Sequence, residues 1–370
     1  MHDERALPER STDTAMMRPQ RSQRVTLRDI AAGLGLSVNT VSRALAGKSQ
    51  VSAATREAVL AEAQRLGYQP NSHARLLVSG RTMVIGLVIT NPSNPFYAAL
   101  IPAVERQCRS AGYSVLLLVT EESEQSEEEA VQQLLRFGVD GVLGIPIQGR
   151  SDAWERLAKA NVPVVLLSRD IPALGFDFVG IDAEQGIAEA VRSAAGAGVR
   201  RAWLFEEDLE ISTVTARIDG FHRGLASAGI DRRDGLVIKV PTRRTHGASL
   251  PWSPDDAHQM AAGLITPDHH PDLVVAGNDY VALGILKALH ACGLTVPDDV
   301  MLLGYGDHPF AAYLEPSLTT VRLPADDVGT TAVDFLLTRI ADPSAPRRSV
   351  RLPPILMARE STRRPDTRRT

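Results

Sequence analysis

The sequence predicts a chain in two parts, a small all-α domain followed by an α/β core of two parallel-sheet subdomains. Three observations predict this. The 370 residues exceed what one ordinary core holds, which points to two or three domains. Residues 26 to 67 carry apolar positions at helical spacing, with a cap signal at each start. After Gly80, continuous apolar runs alternate with amphipathic stretches, the texture of parallel strands buried on both faces and joined by helices.

The elements follow in order. Thr26 with Asp29 three residues later is a capping-box pattern that starts a first helix, LRDIAAGL, ended by Gly35. Ser37 caps a second, VNTVSRALA, closed by Gly47, and Ser52 caps a third, AATREAVLAEAQRLG, stopped at Gly67. Ile30, Leu34, Val41, Leu45, Val59 and Leu66 recur at helical spacing and make a miniature core. Strands are expected in MVIGLVI, SVLLLV, DGVLGIPI, PVVLLS, FVGID, RAWLF, GLVIKV, DLVVAG and DVMLLGYG. Nine such strands fit two similar sheets better than one, and the pair leaves a cleft at the carboxyl ends of the strands, where open α/β sheets bind ligands. VPTRRTHGASLPWSP, 240 to 254, is a long loop. The terminal RRPDTRRT is polar and basic without a heptad pattern, which argues against a coiled-coil tail.

Composition narrows the class. An apolar fraction of 44% is that of a globular protein, and 40 basic against 44 acidic residues give a net charge of -4. From Arg24 to Gly80, seven basic residues face three acidic ones, so a basic end is joined to a clearly acidic remainder. Cys108 and Cys292 lie far apart in apolar, helix-like runs and are expected as buried thiols in a reducing cytosol. Residues 1 to 23 lack a secretory apolar stretch and read as a disordered extension, with Met16 or Met17 as alternative starts. Nothing later is long and apolar enough to span a membrane, so a cytoplasmic protein is expected. Enzymatic motifs are missing: no G-x-S-x-G elbow, Walker loop or zincin histidine pair occurs. His269 and His270 in PDHHPD precede a strand as a loop, and Gly33 and Gly35 lie at a helix end rather than after a strand. Neither metal, cofactor nor catalysis is expected.

Two helices joined through a glycine turn, the second capped by serine and exposing Val38, Asn39 and Arg43, form a helix-turn-helix pattern. Such a second helix places its first residues against base edges in the major groove. Asn39 suits adenine, Arg43 guanine and Val38 a thymine methyl. Ser37, Thr40 and Ser42, with Thr26 at the first helix, suit phosphates, where contacts position rather than specify. On these residues alone, a generic three-helix bundle with a solvated polar face remains the alternative.

The run VTLRDIAAGLGLSVNTVSRALAGKSQVSAATREAVLAEAQRLGYQPNSHARLL resembles the DNA-binding region of the LacI/GalR family of bacterial transcription regulators. The similarity continues through GLVITNPSNPFYAALIPAVE, GVDGVLGIPI, RIDGF and GNDYVALGILKALHACGLTVPDDVMLLGYGDHPFAAYLEPSLTTVR. The resemblance implies a helix-turn-helix domain over 24–69, a hinge helix over 70–81, and a periplasmic-binding-protein-like core over 82–358. That core would divide into an N-subdomain (82–182 and 324–341) and a C-subdomain (183–323 and 342–358), leaving a basic tail over 359–370. It also implies a cytoplasmic, nucleoid-associated homodimer on a roughly palindromic double-stranded DNA operator, controlled by a small effector in the cleft.

In the family the hinge folds only on DNA and pushes a leucine into the minor groove. Leu77 matches that leucine, with Asn71, His73, Ala74 and Arg75 on the same short helix. A segment this short is not helical alone in water, and apolar wedges are a known minor-groove device. Leu76 is open between packing and wedge. Carried over by position, the effector lining includes Phe96, Tyr97, Asp182, Thr213, Arg217, Trp252 and Asn278. One departure stands out. Family members usually carry an aspartate directly after GF or GY, whereas GYGDHP places Gly306 there and Asp307 next. Loss of that carboxylate opposite Arg217 opens the way to a more anionic ligand such as a sugar acid, unless Asp307 swings inward. Two alternatives remain: a regulator of this type without small-molecule control, and a solute-binding protein, which would carry a signal peptide and no helix-turn-helix.

Overall fold

The structure, a computed structural model, describes residues 25–45, 50–68, 81–149, 152–196, 198–242 and 252–363. Asn71, His73, Ala74, Arg75, Leu76 and Leu77, and with them the expected hinge helix, lie outside the described residues. The chain divides between Gly80 and Arg81 into two units.

In the first unit, α1 (Leu27–Leu34), α2 (Val38–Leu45) and α3 (Ala53–Arg65) form where the cap signals place them. The Asp29 carboxylate accepts from the Thr26 N–H at 2.7 Å and from its hydroxyl at 2.8 Å. These bonds hold the Asp29 carboxyl below the ordinary carboxylate range. Gly35, at φ 63, turns the chain out of α1 in a left-handed conformation that glycine adopts without steric cost. Ser37 and Ser52 each accept from the N–H three residues on, of Thr40 and Thr55. Ile30, Val41 and Val59 are fully buried, and Leu34, Leu45 and Leu66 pack half-buried against them.

The second unit begins with β1 (Val84–Ile89), α4 (Pro95–Ser110), β2 (Ser114–Val119), α5 (Glu124–Phe137), β3 (Gly141–Gly144), α6 (Asp152–Lys159), β4 (Val164–Leu167) and β5 (Asp177–Ile181). A similar series follows: α7 (Ala183–Ala195), β6 (Ala202–Glu207), α8 (Ser212–Ser227), β7 (Gly235–Val240), α9 (Pro254–Leu264), β8 (Leu273–Ala276), α10 (Asp279–Ala291), β9 (Met301–Gly306) and β10 (Thr319–Arg322). Then come α11 (Ala325–Ala341), β11 (Ser349–Leu352) and β12 (Ile355–Met357).

Two six-stranded sheets result, ordered β11-β5-β4-β3-β1-β2 and β12-β10-β9-β8-β6-β7, the same permutation twice. All pairings are parallel except β10 with β12. The central strands β3, β4 and β8 are buried at every position, because helices cover both faces and leave no solvated side to alternate with. In each sheet the strand order reverses beside the first strand, which opens a crevice at the carboxyl edge.

Two expected boundaries need correction. Residues 342–358 do not stay with the second sheet: β11 pairs with β5 of the first, Val350 opposite Val179, before Pro353 and Pro354 lead to β12 in the second. The chain therefore crosses between the lobes after β5, after β10 and between β11 and β12. The first and third crossings touch, since the Asp182 N–H donates to the Leu352 carbonyl at 2.9 Å. Residues 359–363 are not a loose tail either. Ser361 is buried and donates to the Leu302 carbonyl at 2.6 Å, and Glu360 accepts from both the N–H and hydroxyl of Ser317. Polar residues fix this segment, so apolar patterning gives no sign of it. Of the two thiols, Cys108 is fully buried as expected, whereas Cys292 is only half-buried, because it caps the end of α10.

Candidate functional site

In the helical unit, α2 turns Val41 and Ala44 inward and leaves Val38, Asn39 and Arg43 exposed. Ser37 is exposed and Thr40 and Ser42 are half-buried. The Ser37 and Thr40 hydroxyls pair at 2.8 Å, and the Thr26 hydroxyl is engaged with Asp29. These three therefore set the starts of α1 and α2.

In the α/β unit, a cleft opens where strands of both sheets end, the edge at which open α/β sheets bind ligands. Asn94, Phe96 and Tyr97 follow β1, Ser168 and Arg169 follow β4, and Gly277 and Asn278 follow β8. Glu207 ends β6, and Tyr305 and Gly306 end β9. Of the residues singled out in sequence, the structure brings Phe96, Tyr97, Thr213, Arg217, Trp252 and Asn278 to this lining.

Two do not line it. Asp182 is the N-cap of α7, its Oδ1 accepting from the Gln185 N–H at 3.0 Å, and the cleft receives its neighbours Ile181 and Ala183 instead. Asp307, in a left-handed conformation at φ 51, is bound by Arg322 at 2.7 Å and by Arg359 at 2.5 Å. It has not swung inward. Although burial opposes it, those two guanidinium groups hold its carboxyl below the usual range.

Around Arg217, the charge at the floor is completed by residues that the sequence reading missed, Glu206, Glu207, Arg169 and Glu122. Arg217 Nε and Nη2 donate to the two Glu206 carboxylate oxygens, both at 2.8 Å, and Glu207 lies 3.8 Å away. Burial works against the Arg217 charge, but the direct pairing with Glu206 and the nearby Glu207 outweigh it and hold the guanidinium protonated. Its carbon lies 5.2 Å from the centre of the Tyr305 ring, whose hydroxyl burial pushes up to about 12. Arg169, also buried, grips Glu122 through both Nη atoms at 2.9 and 2.7 Å. The carboxylate absent at position 306 is thus supplied from the end of β6. Arg217 is therefore not left unopposed by the glycine at 306: it is matched by Glu206 and Glu207, as Arg169 is by Glu122.

Trp252 donates from Nε1 to Glu207 and stacks on Tyr280 with ring centres 5.9 Å apart and planes at 26°. His308, equally missed, sits 5.2 Å from Tyr280 and lines the cleft. Asn278 caps α10 through Oδ1, accepting from the Val281 N–H at 2.9 Å. Its Nδ2 is buried without a partner among the described residues, as is His308 Nε2. Buried polar groups of this kind are normally satisfied by protein, water or ligand, and both of these belong to residues that line the cleft. Such a cleft, floored by fixed charge and walled by rings, can hold a small polar molecule with apolar faces.

A helical reading head joined to a two-lobed core with a cleft defines a class, that of ligand-responsive DNA-binding regulators, and comparison with known proteins places the chain within it. Residues 26–71 match the model for bacterial regulatory proteins of the lacI family, and residues 191–362 match that for the periplasmic binding protein-like domain. The chain belongs to the lacI family, and it is a DNA-binding transcriptional regulator. Among individual proteins, it is 31% identical to the ribose operon repressor of Escherichia coli K12, over 91% of this chain and 99% of that one. It is 30% identical to the transcriptional repressor PurR of Photobacterium profundum, over 91% and 98%. In structure it is similar to the Lac repressor dimer bound to operator and the anti-inducer ONPF, with a TM-score of 0.80, 26% identity, and coverage of 92% of this chain and 99% of that chain. A LacI family regulator from Enterococcus faecium with bound ribose has a TM-score of 0.65, 26% identity, and coverage of 75% and 98%. No helix among the described residues is long and apolar enough to cross a membrane.

Proposed function

We propose that this regulator is a homodimeric repressor that binds a pseudo-palindromic operator and is controlled by a small effector, a sugar or related metabolite, held in the cleft. The observation that carries the effector reading is the pair of unsatisfied polar atoms, Asn278 Nδ2 and His308 Nε2, on a cleft lined from both lobes. Val38, Asn39 and Arg43 read base edges, and Ser37, Thr40, Ser42 and Thr26 lie against phosphates. Asn71, His73, Ala74 and Leu77 form the hinge, with Leu77 as the minor-groove wedge. Phe96, Tyr97, Thr213, Trp252 and Asn278 contact the effector, and Arg217 orients it from the floor. The protein works at the nucleoid in the cytoplasm and carries out no chemical reaction of its own.

Relatives named for ribose control and for operator binding support this reading. Effector binding changes the lobe arrangement and with it the hinge, so operator binding alters effector affinity by the same factor. An operator gel shift repeated across a panel of sugars and related metabolites tests the proposal. One or more members should move the operator midpoint by about fivefold or more, and a panel with no effect on an otherwise specific complex would overturn effector control.

A further inference from the structure

The backbone at position 306 and the side chain two residues later share one small volume. Gly306 has φ +131, a conformation that side-chain-bearing residues rarely adopt. A Cβ there would stand 2.7 Å from His308 Cε1, 3.0 Å from Nδ1 and 3.2 Å from Nε2. The imidazole therefore occupies the space that a side chain at 306 would need. It is 7% exposed and held by rings, with Tyr280 at 5.2 Å, Phe310 at 5.9 Å and Trp252 at 6.4 Å. Its backbone N–H donates to Asp279 Oδ2 at 2.8 Å, which fixes the turn that delivers it.

With the His308 proton assigned to Nδ1, the two orphaned atoms of the cleft have opposite chemistry. An amide Nδ2 can only donate, and Nε2 of a neutral imidazole with its proton on Nδ1 can only accept. A hydroxyl does both, accepting from the one and donating to the other. An ammonium group has no lone pair for Asn278, and a carboxylate has no hydrogen for His308. We infer that His308 is a specificity-determining residue of the effector site, selecting a neutral ligand through hydroxyl groups that donate to its Nε2 and accept from Asn278 Nδ2. This rests on the reading of the cleft as an effector site.

Charge agrees with the selection. Arg217 is matched by Glu206 and Glu207, and Arg169 by Glu122, so neither leaves an uncompensated positive charge for an acid. The charged groups facing His308 are Asp279 from α10 and Asp307 beside it in the chain, with Glu207 behind Trp252. Asp307 is itself bound by Arg322 of β10 and by Arg359. Burial pushes the imidazole down, against the pull of Asp279 and Asp307, and the ring is neutral where the ligand needs an acceptor.

The test uses the full chain and calorimetric titration with neutral aldoses and alditols, their aldonic acids and their amino sugars. A neutral member should bind, and the acid and amine of the same skeleton should bind at least about tenfold more weakly. Among monodeoxy analogues of that binder, one should lose about tenfold or more. His308→Phe should bind the parent ligand as weakly as that analogue and bind the analogue itself unchanged, while His308→Gln, whose Oε1 accepts, recovers part of the loss. Affinity of the unaltered protein should fall as pH is lowered from about 7.5 to below the ordinary imidazole value near 6.5, because protonation removes the acceptor. The His308→Phe profile should be flat. If His308→Phe fails to fold, the Gln variant and the pH profile carry the test. Preference for the acid or amine, or a His308→Phe protein with unchanged affinity, deoxy discrimination and pH profile, overturns the inference and leaves effector control standing. A panel in which no member of any charge binds overturns both.

Discussion

Arg217 meets Glu206 fork to fork, Nε and Nη2 each giving a hydrogen to a separate carboxylate oxygen at 2.8 Å, with the arginine side chain 9% exposed and the glutamate sealed. One partner stands on α8 and the other is the last residue but one of β6, so the pair ties a helix to the sheet edge under the cleft.

Breaking that pair from one side leaves a buried charge without its counter-charge. Arg217→Met should cost about 3–5 kcal/mol in urea unfolding of the α/β core. The double variant Glu206→Leu with Arg217→Met removes both charges and should recover most of that loss, yet show no effector response in the operator gel shift. A single variant as stable as the parent would show that the pair does not hold the floor.

A second contact bridges the lobes directly. Gln148 Oε1 accepts from the Ser212 N–H at 2.8 Å at the start of α8, and its Nε2 donates to the Asp170 carbonyl at 3.1 Å. Gln148→Ala should release the lobes by the worth of one hydrogen bond, roughly 0.5–1.5 kcal/mol. Amide hydrogen exchange over residues 208–216 should accelerate about twofold to tenfold in the ligand-free protein. No change there would mean that the bond does not restrain the cleft.

On the DNA side, Arg43 is exposed near the end of α2. Arg43→Ala should cost about 1–3 kcal/mol at one base pair in each half-site and relax selectivity there. Gel shifts against all single-base operator variants check this. An unchanged ranking would make Arg43 a phosphate contact only.

The thiols should separate by reactivity. Burial pushes Cys108 up to about 11 and seals it, whereas Cys292 is half-buried, its Sγ donating to the Leu289 carbonyl at 3.2 Å. Because the thiolate is the reactive form, Ellman's reagent on the native protein near neutral pH should titrate Cys292 first, with Cys108 following only in denaturant. Cys292→Ala should abolish the native reaction.

Much of this was legible from periodicity. The nine long apolar runs became β1 to β9, and helical spacing found the three small helices with their caps. The strands β10 and β11 escaped because they are short and mixed: Thr319 and Thr320 are buried through hydrogen bonds rather than apolar surface, and β11 alternates polar and apolar residues; β12, though apolar, has only three residues. At the cleft, Phe96, Tyr97, Thr213, Arg217, Trp252 and Asn278, carried over by position, reached the lining. Asp182 failed because an acid before a helix serves equally well as its cap, and Asp307 because a left-handed backbone turns it toward Arg322 and Arg359. Glu206, Glu207 and Arg169 carried a readable signal, since each is a charge at the carboxyl end of an apolar strand, RAWLFEE and PVVLLSR. Such a strand reaches the sheet edge with its charge already buried and needing a partner. His308 carried none, because its place depends on φ at Gly306.

The three crossings between the lobes bear on mechanics. Two bodies joined by one strand can swing, twist and slide in any direction, whereas three strands fastened along one edge leave little but rotation about the line through the fastenings. Ile181, Ala183 and Leu323, all next to crossings, also face the ligand space. The molecule is in this sense a gate rather than a tether: a ligand touching both leaves works at the hinge line itself, where a small push on one leaf sweeps the far edge through a large arc.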